Sequence, residues 1–529
     1  MNAAKPRGLA LVALAAVLAG QPLTPRAARQ ERTVVGDVIK AARLVNAMRF
    51  DEAKTVISEL ALKSPDTPEV RWLRSTLAFN QGDYAGAVAA LNGIGDDGAD
   101  GEVGAMRKLA AQSLAVTSDF IERKSNQGHF IIRYAPGPDA AIAELAGDVL
   151  DAAHAQIGAD LGLAPTDPIR IELLGAPKDL AQLSTLTEAE IETTGTIALS
   201  KYNKLMVVSP RATMFGYAWM DTLAHEYTHL LVSRISYETV PVWLQEGIAR
   251  FEQVRWRAAP GVSMSAAEQG LLSGALRKGR LITFDEMHPS MAKLPSQEAA
   301  ALAYAEVYAL VGWMHQKVGF AGLRNMLTRQ RDGETTKHAV AEVLGLSWGQ
   351  VELAWKNSLR AVDAAAKPNK TRNHAIRFSK GGQDSENVGL EQVNKAAQKF
   401  ARLGGMLRAK GRLAAAAIEY EKALAADPTD SFVAGKLART LVEQGQFDRA
   451  AAVAAPLLAK DQDDAVAAVT VGVARNAQKD YAAAAVAFEL ALRISPFDPT
   501  TRCGLADAYA ALNDPRQNRE SAACKVVRN

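Results

Sequence analysis

The sequence predicts an α+β domain between two all-α arrays of helical repeats. Three observations lead to this fold class: a 34-residue repeat near both ends, short β-rich runs in the middle, and helical patterning from there almost to residue 365. At 529 residues the chain is too long for one compact core. We therefore expect an N-terminal array at 34–120, a central domain at 121–363, a linker at 364–394 and a C-terminal array at 395–529.

The N-terminus has the pattern of a secretory signal. A short basic stretch, MNAAKPR, precedes the apolar run GLALVALAAVLAG, which stops at Gln21-Pro22. The run is shorter than the roughly 20 apolar residues of a membrane span, so a signal peptide over residues 1–20 is favoured over an uncleaved anchor. We expect a periplasmic or secreted mature chain with no transmembrane span. A net charge of +3 without a Lys/Arg stripe predicts no nucleic-acid partner.

The repeat is clearest in the C-terminal third of the chain. Leu413, Phe447 and Tyr481 are 34 residues apart, and each is followed three residues later by alanine. This pattern resembles the tetratricopeptide repeat, a helix-turn-helix unit of that length. Phe50 and Tyr84 have the same spacing near the N-terminus. The resemblance implies grooves that could bind a protein partner, or arrays that only stack against the central domain.

The two cysteines lie in the last predicted helical hairpin. Cys503 and Cys524 come eleven residues before and ten residues after Asp514, which lies in the turn. Antiparallel helices would bring the two thiols opposite one another, so we predict a disulfide, which suits an oxidising compartment. Two reduced cysteines in a helical core are the alternative.

The middle of the chain alternates between strands and helices. Residues 129–136 and 168–177 are β-rich runs bounded by Pro or Gly, and a helical stretch separates them. Residues 194–210 contain a third strand-like piece, with Tyr202-Asn203-Lys204 as the expected hairpin turn.

The stretch LAHEYTHLLV indicates a metal site. On a helix, His225 and His229 project from one face, one turn apart, so that both imidazoles could bind one ion. Glu226 then lies beside the ion, where it can take a proton from a water molecule. Glu246 follows in a second helix and would be a third ligand. Three protein ligands leave a fourth position for water, as in catalytic zinc sites.

The two motifs together resemble a known family. HEYTH followed by WLQEGIA, residues 243–249, is similar to the HExxH and WLxEGxA elements of the gluzincin metallopeptidases, in particular the M1-like peptidase MA group. The resemblance spans roughly residues 125–362 and implies a thermolysin-like gluzincin fold. The thermolysin branch itself uses an Asn-Glu element, which Gln245 does not reproduce.

The resemblance also implies roles for individual residues. His225, His229 and Glu246 would bind Zn2+, Glu226 would be the general base, and Tyr304 would stabilise the oxyanion, with Tyr308 as its competitor. An extended peptide would pair with an edge strand formed by the run Gly195, Thr196, Ile197 and Ala198. The GxMEN element that binds a substrate amino terminus in M1 aminopeptidases is missing, so an endopeptidase is favoured.

The sequence therefore predicts a zinc-dependent endopeptidase that uses a Glu-activated water, with peptides or proteins as substrates. The repeats would recruit substrates or partners. The alternative is a tetratricopeptide-repeat adaptor with a latent or inactive zinc peptidase domain. A third possibility keeps the hydrolase but directs it at its own linker, within residues 364–389.

Overall fold

The computed structural model describes residues 25–64, 67–95, 97–98, 101–261, 264–365, 376–379, 390 and 393–528. The predicted signal peptide, residues 1–20, lies outside these ranges. Within them, no helix has both the length and the apolar character needed to cross a membrane.

Paired helices form the N-terminal array. Its members are α1 (Pro25–Asn46), α2 (Phe50–Lys63), α3 (Pro68–Asn80), α4 (Tyr84–Leu91) and α5 (Glu102–Thr117). Phe50 and Tyr84, the residues that show the 34-residue period, begin α2 and α4 and are buried. Asp83 caps α4 by accepting a hydrogen bond from the Gly86 N–H. The repeat pattern therefore marks the starts of the second helices of successive hairpins.

The central domain contains a mixed sheet surrounded by helices. Its strands are β1 (Ile121–Lys124), β2 (Phe130–Tyr134), β3 (Ile169–Leu174), β4 (Ala198–Lys201) and β5 (Lys204–Val208). Its helices are α6 (Ala140–Leu161), α7 (Pro177–Leu183), α8 (Glu188–Thr194), α9 (Trp219–Ser236), α10 (Val242–Glu252), α11 (Ala266–Lys278), α12 (Gln297–Arg331), α13 (Thr336–Leu344) and α14 (Trp348–Ala365).

The strand order in the sheet is β1-β2-β3-β5-β4. β2, β3 and β5 run parallel in the middle, whereas β1 and β4 are antiparallel edge strands. β5 is buried at every position, as expected for a central strand covered on both faces. β1 is exposed at every position and therefore has no hydrophobic alternation. For that reason the sequence does not predict it.

In the predicted edge run at 195–198, Ala198 lies in an edge strand, and the Ile197 carbonyl accepts a hydrogen bond from Val208 of β5 just before it. Gly195 ends α8 in the left-handed region, at φ 69°, and the Thr196 N–H donates to the Ile191 carbonyl of that helix. These two residues therefore terminate a helix, and the edge strand β4 begins at Ala198. The hairpin turn is also shorter than predicted, because Tyr202 and Asn203 alone have positive φ and Lys204 already belongs to β5.

Part of the predicted linker packs against the central domain. The Met214 N–H donates to the Arg377 carbonyl at 2.8 Å, and the Ser379 N–H donates to the Ala212 carbonyl at 2.8 Å. Phe378 joins a small apolar cluster beneath β3 and β5. Residues 376–379 thus extend the domain instead of only spacing it from the C-terminal array.

The C-terminal array consists of helical hairpins. They comprise α15 (Lys395–Ala409), α16 (Leu413–Ala426), α17 (Ser431–Glu443), α18 (Phe447–Lys460), α19 (Ala465–Ala477), α20 (Tyr481–Leu492), α21 (Pro499–Leu512) and α22 (Gln517–Arg528). Asp430, Asp464 and Asp498, each 34 residues apart, cap the first helix of successive hairpins through their side chains. A disulfide joins Cys503 of α21 to Cys524 of α22, with the Cα atoms 5.0 Å apart.

The C-terminal array contacts the start of α9 directly. The Trp219 indole Nε1–H donates to the Leu492 carbonyl at 3.0 Å, and the Tyr217 N–H donates to the Ile494 carbonyl at 3.0 Å. Trp219 is almost fully buried. The helix that carries HEYTH therefore begins against the last helices of the array.

A buried ion pair makes a second contact between the array and the domain. Arg502 and Glu520 are fully buried and lie 2.6 Å apart. Arg502 also donates to the Ala141 carbonyl of α6 at 3.0 Å, and Arg519 pairs with Asp148 of α6 at 2.8 Å. A buried pair of this kind is stable only when its remaining polar atoms find partners. The Pro496 carbonyl, Arg519 and the Ala141 carbonyl of α6 supply them.

We predict that Gly216→Ala separates the array from α9. Gly216 has φ 72°, and an added Cβ would meet the Ile494 carbonyl oxygen at 2.0 Å. Gly279 is the matched control, because it has φ 62° and open space around its Cβ position. Gly279→Ala should cost only the left-handed backbone penalty of about 1–2 kcal/mol. Gly216→Ala should lower the urea midpoint further, and equal midpoints would contradict this interface.

Candidate metal centre

The helix α9 presents His225 and His229 on one face and apolar residues on the other. Leu223, Tyr227 and Leu230 are buried on the side that packs against the core. Because the histidines are four residues apart, their rings lie close together, with centroids 4.7 Å apart. The helix therefore directs both imidazoles toward the same point.

The helix α10 brings Glu246 to that point. It begins after Pro241, whose φ of −68° suits the position before a helix. At Gly247, an added Cβ would lie 2.9 Å from the Val307 carbonyl oxygen and 2.6 Å from the Val311 side chain on α12. The glycine beside Glu246 thus permits a close crossing of α10 and α12, which a side chain would prevent.

Three ligand atoms converge between these helices. His225 Nε2 lies 3.1 Å from His229 Nε2 and 3.3 Å from Glu246 Oε2, and His229 Nε2 lies 3.2 Å from the same oxygen. Among the described residues, this is the one group of three or more His, Cys, Asp or Glu side chains with the proximity that a metal site requires.

The triangle has the dimensions of one face of a tetrahedral site. Bonds of about 2.0–2.1 Å at tetrahedral angles place ligand atoms about 3.3 Å apart. The observed separations of 3.1–3.3 Å are close to this value. The side chains remain 12% exposed for the histidines and 16% for Glu246, so a fourth ligand can reach the site. The residues present therefore fit a tetrahedral cation with one open position.

The charged groups at the site shift one another's pKa values. Burial opposes a charge on His229, but the Glu246 carboxylate outweighs it and raises the pKa of His229 to about 9. Burial likewise opposes the charge on Glu246, yet the two imidazoles hold its pKa well below the usual range. Burial and the neighbouring His229 lower the pKa of His225. The cluster thus combines an ionised carboxylate with imidazoles that can lose their protons to a cation.

Glu226 does not belong to this triangle and is buried. Burial raises its pKa to about 7, with the His229 charge acting in the opposite direction. The Ser200 backbone on β4 acts in the same direction as His229 and lowers the pKa, so this strand lies close to the carboxylate. Glu226 therefore lies between α9 and the edge strand, with a pKa that suits proton transfer near neutral pH.

The free edge of β4 faces this carboxylate. The Val208 N–H donates to the Ile197 carbonyl at 2.8 Å, which makes these two residues a hydrogen-bonded pair. In an antiparallel ladder such pairs alternate with pairs whose polar groups point outward. In the register of β4 and β5, the outward positions on β4 are Ala198 and Ser200. Their N–H and C=O groups point away from β5, toward the side on which an extended peptide would pair.

The structure distinguishes the two candidate tyrosines. The ring of Tyr304 lies edge-on to His225, with centroids 6.3 Å apart. Burial and the negative charges of Glu246 and Glu226 raise its pKa well above the usual range, so its hydroxyl stays protonated. Tyr308, one turn further on α12, packs instead beside Phe251 and Arg250. Tyr304 is therefore the tyrosine close to the ligand cluster.

Two contributors to the site are missing from the sequence-based predictions. Arg250 lies one turn after Glu246 on α10 and pairs with Glu268 at 2.6 Å. Its positive charge lowers the pKa of His225 and opposes the raised pKa of Tyr304. The sequence indicates this contribution through the spacing, because residues four apart lie on the same face of a helix. Ser200 was missed because the strand was assigned too early in the chain. Counting back from a two-residue turn would have identified it.

Comparisons with known proteins define the class of the domains. Residues 150–361 match the family model of the Peptidase MA superfamily. Residues 40–100 and 407–470 match tetratricopeptide repeat models. The chain thus has a Peptidase MA superfamily domain flanked by tetratricopeptide repeats, which confirms the predicted resemblance at this level. This combination fits a peptidase or a repeat scaffold.

Solved structures that are similar to the chain include two of low sequence identity. A native yeast LTA4 hydrolase has 11% identity and a TM-score of 0.30, with 78% of this chain and 66% of that chain covered. The Cut9-Hcn1 hetero-tetramer of APC/C has 13% identity and a TM-score of 0.23, with 94% of this chain and 90% of that chain covered. No curated protein matches the sequence of the chain.

We predict that Zn2+ binding displaces a proton from His229. Since the pKa of His229 is about 9, this imidazole is mostly protonated below that pH and must be neutral to bind a cation. Titration calorimetry at about pH 8 in buffers of different ionisation enthalpy should show release of about one proton per ion.

Variants provide the control for this measurement. Glu246→Gln and His229→Ala should lose stoichiometric zinc, whereas His338→Ala, at an exposed position on α13, should retain it. Equal zinc content in all three variants would contradict the assigned ligands.

Proposed function

We propose that the protein is a zinc-dependent endopeptidase. The observation that carries this proposal is the convergence of His225, His229 and Glu246 beside a buried carboxylate, Glu226, and a free strand edge. Two imidazoles and one carboxylate with an open position form the ligand set of gluzincin metallopeptidases, which the HEYTH and WLQEGIA motifs resemble. When bound, zinc would polarise the scissile carbonyl and acidify a water molecule.

Residues of the chain would bind the peptide, transfer the proton and stabilise the oxyanion. The peptide lies extended along β4, where the backbone groups of Ala198 and Ser200 pair with it and orient the scissile bond. Glu226 accepts the proton of the attacking water and delivers it to the leaving amine, since its pKa of about 7 allows both steps. The Tyr304 hydroxyl donates a hydrogen bond to the developing oxyanion.

Backbone pairing makes the activity tolerant of substrate sequence. An edge strand recognises N–H and C=O groups that every peptide has, so specificity depends on the side-chain contacts beside it. The sequence has no GxMEN element to bind an amino terminus, which favours cleavage within a chain. The repeats would recruit protein substrates or partners, and the disulfide supports a periplasmic or secreted location.

The first experiment compares the wild type with Glu226→Gln. We expect the wild type to cleave a mixed peptide library, read by mass spectrometry, and the variant to cleave nothing, because an amide cannot accept the proton of the water. Zinc content should be about one per chain in both, since Glu226 is not a ligand. If both proteins bind zinc and neither cleaves, the scaffold with a latent peptidase domain becomes the better proposal.

The role of Tyr304 has its own test, with Tyr308 as the matched control. Tyr304→Phe should lower kcat by about 100-fold with little change in KM, as expected for the loss of one oxyanion donor. Tyr308→Phe should leave kcat nearly unchanged, because its ring lies beside Phe251 instead of the ligand cluster. Similar losses in the two variants would contradict the assignment.

A further inference from the structure

The tip of the β4–β5 hairpin packs against the N-terminal array. Tyr202, in the turn, packs edge-on against Phe79 of α3, with ring centroids 5.0 Å apart. It belongs both to the apolar cluster of the array and to the cluster beneath the sheet. The end of the edge strand is therefore covered by helices that lie more than 100 residues earlier in the sequence.

A buried lysine forms the centre of this contact. Lys204, the first residue of β5, is 1% exposed. Its Nζ donates to the Tyr84 hydroxyl at 2.8 Å and to the Phe79 carbonyl at 3.3 Å. It lies 4.4 Å from the centroid of the Tyr84 ring and 4.2 Å from that of the Phe79 ring. The Tyr84 hydroxyl donates in turn to Glu172 of β3 at 3.0 Å.

These partners decide where the hairpin can lie. A buried ammonium group is costly unless hydrogen bonds and opposite charge compensate it. Burial lowers the pKa of Lys204 to about 7, and the Glu172 carboxylate of β3 opposes this shift. The hydrogen-bond partners come from α3 and α4, through the Phe79 carbonyl and the Tyr84 hydroxyl. Displacing the N-terminal array would remove the Phe79 carbonyl and the Tyr84 hydroxyl, which are the hydrogen-bond partners of the lysine, so the positions of the array and the hairpin are coupled.

The other side of the tip is joined to the metal-binding helix. Asn203 Oδ1 accepts hydrogen bonds from Arg234 of α9, at 2.8 Å from Nη2 and 3.2 Å from Nε. Arg234 pairs with Asp167 at 2.8 Å and is five residues beyond His229. The tip thus bridges the N-terminal array and the helix that carries the ligands.

We propose that Lys204 and Tyr84 are positioning residues for the peptide substrate. Through them the N-terminal repeats fix β4 beside Glu226, so that Ala198 and Ser200 can pair with an extended peptide. The consequence for substrates depends on the proposed peptidase function, whereas the coupling of the array to the hairpin does not. The N-terminal array is accordingly part of the substrate-binding apparatus.

Hydrogen exchange tests the coupling without any activity. In Tyr84→Phe and Lys204→Met, the amides of residues 197–208 should exchange faster than in the wild type. Leu60→Ala is the control, because Leu60 is fully buried in a separate cluster of the array that does not include the hairpin. Tyr84→Phe keeps the ring and folds most readily. Unchanged hairpin exchange in both variants would overturn the proposal.

Kinetics with peptides of increasing length test whether the coupling of the array to the hairpin affects substrate binding. Tyr84→Phe and Lys204→Met should raise KM about tenfold for peptides long enough to span β4, with zinc content and kcat close to the wild type. Leu60→Ala should keep the wild-type KM. Faster exchange with an unchanged KM would overturn the positioning role. A wild type that cleaves nothing, with faster exchange in the variants, would refute the peptidase function and leave the coupling intact.

Discussion

The convergence of three polar atoms, 3.1–3.3 Å apart between two helices, is the constraint on which the central domain depends. Like-charged or unpaired groups at this distance would be costly in a partly buried site, so the atoms need either shared protons or a common cation. Their approach requires α9 and α10 to meet at a fixed angle. Gly247 allows α10 to lie against α12, which also brings Tyr304 into the site.

Both helical arrays help to hold this arrangement. The N-terminal array surrounds Lys204 and so fixes the strand beside Glu226, while the C-terminal array accepts the Trp219 hydrogen bond at the start of α9. The two elements at the site, β4 and α9, are therefore each held in place by one of the arrays. Repeats of this type often present free grooves to partners. Here at least one surface of each array is used to support the peptidase domain.

Local patterns in the sequence predicted the parts of the structure that depend on short spacing. The interval of four residues placed His225 and His229 together, and the 34-residue period marked the array helices. The exposed strand β1 has no such pattern, and the start of β4 depends on where α8 ends. Lys204 and Arg502 look like surface charges in the sequence, and only tertiary contacts bury them.

The disulfide between Cys503 and Cys524 has a consequence for biogenesis. Cys524 lies in α22, so the bond can close only after both α21 and α22 have been synthesised. α22 also contributes Glu520, the partner of Arg502 against α6. Assembly of the domain with its C-terminal array thus requires a segment that is synthesised 361 residues after its partner in α6, and chains that end before Cys524 would lack this covalent closure.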